Sequence, residues 1–256
     1  MQGKFTHAIL EGATVVITRP AGTSAAILKR VRALGGYALA LPGLALRATP
    51  ERLPRIASDA FDAWIFTSPA AVRFGIGAVP GRRTRIRAYA VGTGTARALA
   101  RHGIRATIPA DRADSEGVLA LADLKRVRGQ RIALVGAPGG RDGIAPTLRR
   151  RGANVEHIHV YQRMPPRLTR RHFKALAAAK DPLITLLSSS EALDNLVARL
   201  PPPLLARLRR QTIVVSSARL GGVARENGFE TIVQARSAVP RDLLDAAASA
   251  LARHRL

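Results

Sequence analysis

Short, wholly apolar runs alternate with stretches of helical periodicity along this chain. Thr14-Val15-Val16-Ile17-Thr18 is the first such run, and after Arg19-Pro20-Ala21-Gly22 either Thr23 or Ser24 can cap a helix. Ile27, Val31 and Leu34 recur at helical spacing, and Gly35-Gly36 supplies the left-handed residue that ends such a helix. Tyr37 to Leu41 then predicts a second strand, closed by Pro42.

The same order returns downstream. Arg131 to Val135 predicts a strand, Gly136 to Gly140 a loop, then a helix through Leu148 that stops near Gly152, then a strand from Val155 to Tyr161. Gly35 and Gly152 are 117 positions apart, and a second matched segment lies at a similar offset. Trp64-Ile65-Phe66-Thr67-Ser68-Pro69-Ala70-Ala71-Val72 pairs with Ile184 to Leu193, and Ala90 to Ala96 pairs with Val214 to Leu220. In both copies a helix follows that ends at a glycine, Gly103 or Gly228, 125 positions apart, before a last strand, Arg105 to Pro109 or Glu230 to Gln234. A duplication with modest insertions is the simplest account. Proline and arginine interrupt the pattern at equivalent points, Pro42 to Pro54 and Val160 to Pro166, which predicts two crossings between domains.

Strands that alternate with helices imply parallel sheets covered on both faces, because a parallel connection needs a crossover helix. The fold class is α/β. Apolar residues make up 47% of the 256, enough for two modest cores. In such sheets a ligand lies beyond the C-terminal strand ends, where loops lead into helix N-termini. The turns Thr67-Ser68, Thr95, Ser188 to Ser190 and Ser216-Ser217 all fall at such ends. Each alone reads as a helix cap; four aimed at one cleft imply a shared purpose.

Composition narrows the chemistry. The chain has no cysteine, which excludes disulfides, thiolate nucleophiles and iron–sulfur clusters and fits a reducing, cytoplasmic setting. No run approaches the roughly 20 apolar residues of a membrane span, and Met1 to His7 carry no sustained apolar stretch. A formal charge of +24 raises nucleic acid, an anionic membrane surface or an anionic small molecule as partners. Aromatics at 4% leave few base-stacking platforms. Arg149-Arg150-Arg151 and Arg207, Arg209 and Arg210 fall on predicted helix faces, where a solvated surface is expected.

Gly92-Thr93-Gly94 lacks the third glycine and the acidic partner of a dinucleotide fingerprint. Ala137 to Gly143 is glycine-rich but has no Gly-Lys-Ser/Thr ending, so a tight turn is expected; the Gly-x-Ser-x-Gly elbow is absent. His157 and His159 share a face of a predicted strand, with no third ligand nearby, and read as structural or interfacial. The acidic residues form no catalytic pair.

The run Val16-Ile17-Thr18-Arg19-Pro20, the turn Phe66 to Val72, Ala90-Val91-Gly92 with Thr95-Ala96, and Val160-Tyr161-Gln162-Arg163 together resemble the uroporphyrinogen-III synthase family, from about Val15 to the C-terminal helix. Ser217-Ala218-Arg219-Leu220 is similar to the Ser-x-Arg-Leu of many bacterial members, although threonines found after this turn in some relatives are replaced here by Ala218-Arg219. The resemblance implies two pseudo-duplicated, flavodoxin-like parallel-sheet domains joined by a two-stranded linker. Residues 1–42 and 167–256 would form a discontinuous first domain, 50–160 an inserted second one, and 43–49 and 161–166 the linkers.

The implied activity is the cyclisation of hydroxymethylbilane to uroporphyrinogen III, with loss of water and inversion of the last pyrrole ring, without metal or organic cofactor. Electron-rich pyrroles can expel hydroxide themselves, which accounts for the scarcity of acid–base residues; the enzyme's task is positioning. By resemblance, Ser68, Thr95, Ser190 and Ser217 are donors to the substrate's carboxylates, with Thr67, Ser189 and Ser216 as neighbours, and Arg19 and Arg219 either grip carboxylates or brace loops. Tyr161 is the residue expected to hydrogen-bond the departing hydroxyl. The implied partner is the anionic linear tetrapyrrole alone, with no nucleic acid or membrane, on a monomer in at most transient contact with the preceding pathway enzyme. Two other classes compete: a two-lobed small-molecule binding protein and a basic nucleic-acid binder.

Overall fold

The computed structural model describes residues 8–49, 60–79, 86–110, 112, 114–139 and 143–254. Met1 to His7, the Pro50–Pro54 end of the first expected crossing and Gly140 to Asp142 of the glycine-rich turn lie outside the described residues. The chain divides into two compact units, Met1–Ala45 with Met164–Leu256, and Leu46–Arg163.

In chain order, β1 (Thr14–Ile17), α1 (Ala25–Ala33), β2 (Tyr37–Ala40) and β3 (Ala45–Ala48) precede β4 (Ala63–Phe66), α2 (Pro69–Gly75), β5 (Ala88–Ala90), α3 (Thr93–Ala100) and β6 (Ala106–Thr107). After α4 (Ser115–Ala120) and α5 (Ala122–Lys125) come β7 (Arg131–Gly136), α6 (Ile144–Arg150), β8 (Asn154–His159) and β9 (Tyr161–Met164). The chain ends with α7 (Arg170–Ala177), β10 (Leu183–Leu187), α8 (Ser190–Arg199), α9 (Pro202–Arg209), β11 (Thr212–Val215), α10 (Ala218–Glu226), β12 (Thr231–Gln234) and α11 (Pro240–His254).

Unit 1 holds a five-stranded sheet in the order β12-β11-β10-β1-β2, and every pairing is parallel. Successive residues of a strand point to opposite faces, so the apolar runs fill two cores. Val15, Ile17, Ile184, Leu186 and Val214 meet Ile27 and Val31 of α1 and Leu243, Leu244 and Leu251 of α11. Val16, Leu183, Leu187, Ile213 and Val215 face Leu193, Leu196, Leu205 and Leu220 on α8 to α10. Unit 2 repeats this plan, with a parallel sheet ordered β6-β5-β4-β7-β8. Ile65, Ile132 and Leu134 pack toward α4 to α6, and Trp64, Phe66, Ala133 and Val135 toward α2 and α3. Because both faces are covered, these strands read as continuous apolar runs rather than alternating ones.

The duplication is written into the backbone. All eight glycines with positive φ among the described residues fall into four pairs: Gly12 with Gly129, Gly22 with Gly139 and Gly35 with Gly152, each 117 positions apart, and Gly103 with Gly228, 125 apart. The two sheet orders also superpose if β1 and β2 match β7 and β8, and β10 to β12 match β4 to β6. Each sheet therefore joins the first two strands of one copy to the last three of the other: β1 pairs with β10, and β7 with β4.

Two expectations are corrected. The single strand expected from Val155 to Tyr161 is two, because Val160 changes sheets: its N–H donates to Gly136 O at 3.0 Å, while its carbonyl accepts from Thr49 N at 3.3 Å. Tyr161 thereby leaves the five-stranded sheet and opens β9, which pairs with β3. Several arginines read as solvated surface instead satisfy backbone carbonyls, many at helix ends. Arg207 donates to the carbonyls of Leu176 (2.7 Å), Ala177 (2.9 Å) and Ala179 (2.5 Å) and to Asp181. Arg151 bonds Leu119 O and Leu124 O, and Arg149 bonds Val155 O. The last four carbonyls of a helix lack internal partners, and a guanidinium fork serves several at once.

Candidate active site

In each unit the parallel strands end at one edge, and the expected site residues occupy the residues that follow them. In unit 1 the adjacent strands β1, β10 and β11 lead into Thr18-Arg19, Ser188-Ser189-Ser190 and Ser216-Ser217. Ser189 is the N-cap of α8, its Oγ accepting from Ala192 N, and Ser217 is the N-cap of α10, accepting from Leu220 N, both at 3.4 Å. An N-cap oxygen used as an acceptor leaves its own proton to give. Ser190 and Ser216 flank these caps, all four serines are half-buried, and Arg219, two residues into α10, is exposed.

Arg19 is the unusual member. It is half-buried and makes no ion pair among the described residues, and burial lowers its guanidinium below the ordinary arginine value. A cation partly withdrawn from water, with no counter-charge among the described residues, attracts an anion. Thr18 beside it is buried and tied to Leu186 O at 2.7 Å, which anchors the loop to β10.

In unit 2, β4 leads into Thr67-Ser68 beside Gly136 at the end of β7. Thr67 Oγ1 donates to Val135 O at 3.1 Å, and a Cβ on Gly136 would meet that hydroxyl oxygen at 2.7 Å, so a side chain there would push the Thr67 hydroxyl aside. Ser68 caps α2, accepting from Ala71 N at 3.0 Å, and its Oγ lies 3.2 Å from the Tyr161 hydroxyl. The Tyr161 ring is buried at 7% exposure and stacks on Phe74 of α2, with ring centroids 5.6 Å apart. Arg163, two residues on, donates to Pro138 O at 2.8 Å and to Gly139 O, bracing β9 against the glycine-rich turn. Thr95 lies in the first turn of α3, whose N-cap is Gly92, and is buried at 3% exposure.

The structure thus gathers Arg19, Ser189, Ser190, Ser216 and Ser217 at one edge, with Arg219 on the adjoining helix, and joins Ser68 directly to Tyr161. Thr95 instead points into packed surroundings. The residue pattern alone does not reveal Phe74 as the ring that holds Tyr161, or Arg163 as a brace; Phe74 lies two residues beyond the Phe66 to Val72 turn and carries no motif of its own. His157 and His159 do lie close on β8, ring centroids 5.7 Å apart, yet the described residues contain no cluster of three or more groups able to hold a metal ion.

Fold and strand-end chemistry define the class: a two-unit, doubly wound parallel α/β protein whose strand ends offer hydroxyls and the half-buried Arg19 guanidinium. Residues 25–245 match the family described as "Uroporphyrinogen-III synthase HemD". The chain belongs to the uroporphyrinogen-III synthase family. It is 31% identical to the uroporphyrinogen-III synthase of Salmonella typhimurium, across 88% of this chain and 96% of that one, and 29% identical to that of Escherichia coli over the same shares. The crystal structure of uroporphyrinogen-III synthetase from Helicobacter pylori superposes with a TM-score of 0.63 at 16% identity, covering 93% of this chain and 99% of that one. The resemblance read from the short motifs is borne out, and the α/β class of two parallel sheets with it.

Proposed function

We infer that this chain converts hydroxymethylbilane to uroporphyrinogen III, with loss of water and inversion of the terminal ring. The observation that carries the reading is the family match over residues 25–245, on a chain that spans 96% of its Salmonella relative. The strand-end residues suit the task. Uncatalysed closure uses the unsubstituted carbon of the terminal ring and yields isomer I, whereas isomer III requires attack by the substituted carbon. Choosing between them is a matter of holding a flexible polyanion in one geometry.

In this reading Arg19, Ser189, Ser190, Ser216, Ser217 and Arg219 bind substrate carboxylates from unit 1, aided by the positive N-terminal ends of α8 and α10. From unit 2, Thr67 orders the turn, Ser68 contributes a hydroxyl, and Thr95 acts as a donor only if α3 shifts to expose it. Tyr161 assists the departure of the leaving hydroxyl, which the electron-rich pyrrole already drives. The reading also places the protein in the cytoplasm as a monomer. Among the described residues no helix is long and apolar enough to cross a membrane.

Adding the purified protein to hydroxymethylbilane is expected to move the product from isomer I to isomer III, read by chromatography of the oxidised porphyrins. A product that stays isomer I rejects the activity. Tyr161→Phe is expected to lower turnover severalfold while product affinity changes less than twofold; equal turnover would remove Tyr161 from the reaction.

A further inference from the structure

We propose that Ser68 and Tyr161 act as one proton-donating unit, in which Ser68 delivers the proton to the leaving hydroxyl and Tyr161 replenishes it. The proposal rests on the activity inferred above and adds a second catalytic residue to it.

Hydroxyl bookkeeping points this way. Ser68 Oγ already accepts the Ala71 N–H at 3.0 Å, and the two hydroxyls share one hydrogen bond at 3.2 Å. Two hydroxyls carry two protons and one shared bond uses one, so one proton stays free to be donated outward. When Tyr161 donates to Ser68, both lone pairs of Oγ are filled by donors, and its own O–H is polarised toward release. The free proton then sits on the half-buried serine rather than on the tyrosine, whose ring is buried under Phe74.

The duplication supplies an internal control. Ser189 matches Ser68, each capping its helix through the residue three positions on. The position matching Tyr161 at the 117-residue offset is Leu44, a buried member of the unit 1 core that also contains Ala192 and Leu193 of α8. The same junction is therefore built with leucine in one unit and with tyrosine in the other. Packing alone does not call for a phenol here, and only unit 2 owns the linked pair.

The C–O bond of the hydroxymethyl group breaks, and its electron pair leaves on oxygen. That oxygen takes the Ser68 proton while Ser68 takes the Tyr161 proton, giving water, an azafulvenium cation and a tyrosine phenolate. The phenolate recovers its proton when the unsubstituted carbon of the terminal ring loses hydrogen in the last bond formation.

Single-turnover consumption of hydroxymethylbilane, corrected for spontaneous closure, tests the pair. Ser68→Gly keeps a residue that N-cap positions tolerate, and is expected to slow the step about tenfold with half-saturation within about twofold. Ser68→Thr, which retains hydroxyl and cap, is expected to stay within about threefold of the natural protein. The double variant Ser68→Gly/Tyr161→Phe is expected to be no slower than Ser68→Gly alone, as for residues acting as a unit. An unchanged rate in Ser68→Gly, a tenfold loss in folded Ser68→Thr, or single losses that multiply in the double variant would overturn the proposal. Failure of the underlying activity looks different: the natural protein itself then yields only isomer I.

Discussion

Replacing Arg19 with alanine raises the half-saturating hydroxymethylbilane concentration about thirtyfold, the equivalent of ~2 kcal/mol, without lowering the melting temperature. The two halves of this result have one cause. Arg19 is half-buried next to the buried, anchored Thr18, has no ion-pair partner among the described residues, and is held below its ordinary pKa by burial. Its solvation is thus partly lost and no ion pair among the described residues makes up for it, so deleting the charge relieves the folded state. A substrate carboxylate is what would complete it, and charge-assisted bonds of this kind are among the strong ones. Arg19→Lys should restore only part of the affinity, because an ammonium cannot offer the two parallel N–H donors of a guanidinium. Substrate titration and a thermal melt on the same preparations decide the matter. A fall in melting temperature with unchanged saturation would make Arg19 a structural brace.

Arg207→Ala is expected to lower the melting temperature of unit 1 by about 10 °C, corresponding to ~3 kcal/mol. One guanidinium holds the carbonyls of Leu176, Ala177 and Ala179 and the Asp181 carboxylate, and so closes the C-terminal end of α7 against α9. Alanine removes every one of these donors: Leu176 O keeps only the Ala179 N–H at 3.3 Å, and the carbonyl of half-buried Ala179 loses its bond to Arg207, which is the costly way to lose a hydrogen bond. Arg207→Lys should recover less than half of the loss, since one ammonium cannot span the same four oxygens. The check is differential scanning calorimetry, and a shift under about 2 °C would show that water replaces the guanidinium without penalty.

Arg207 also marks where reading the sequence stops. Nothing local to Leu205-Ala206-Arg207-Leu208 announces that its partners lie near residue 177; the bonds span 26 to 31 positions. The same holds for Ser68 and Tyr161, 93 residues apart, which were each legible from short motifs but not as a bonded pair. Thr95 shows the limit from the other side. Its hydroxyl and its place after β5 suggested a donor, but the third position of α3 turns inward, where its counterpart in the second copy is the buried Leu220.

The α/β class, the parallel sheets, the repeated strand–turn–helix unit and the hydroxyls at the strand ends are legible in the order of residues. All of these follow from hydrophobic period, glycine placement and residue type, which act over a few neighbouring residues. That each sheet takes two strands from one copy and three from the other, that Val160 hands its N–H to one sheet and its carbonyl to another, and that Ser68 meets Tyr161 emerge only once the chain is folded. Two nearly equivalent copies offer each strand two similar partners, and the choice between them is settled by packing and hydrogen bonds between residues far apart in the chain.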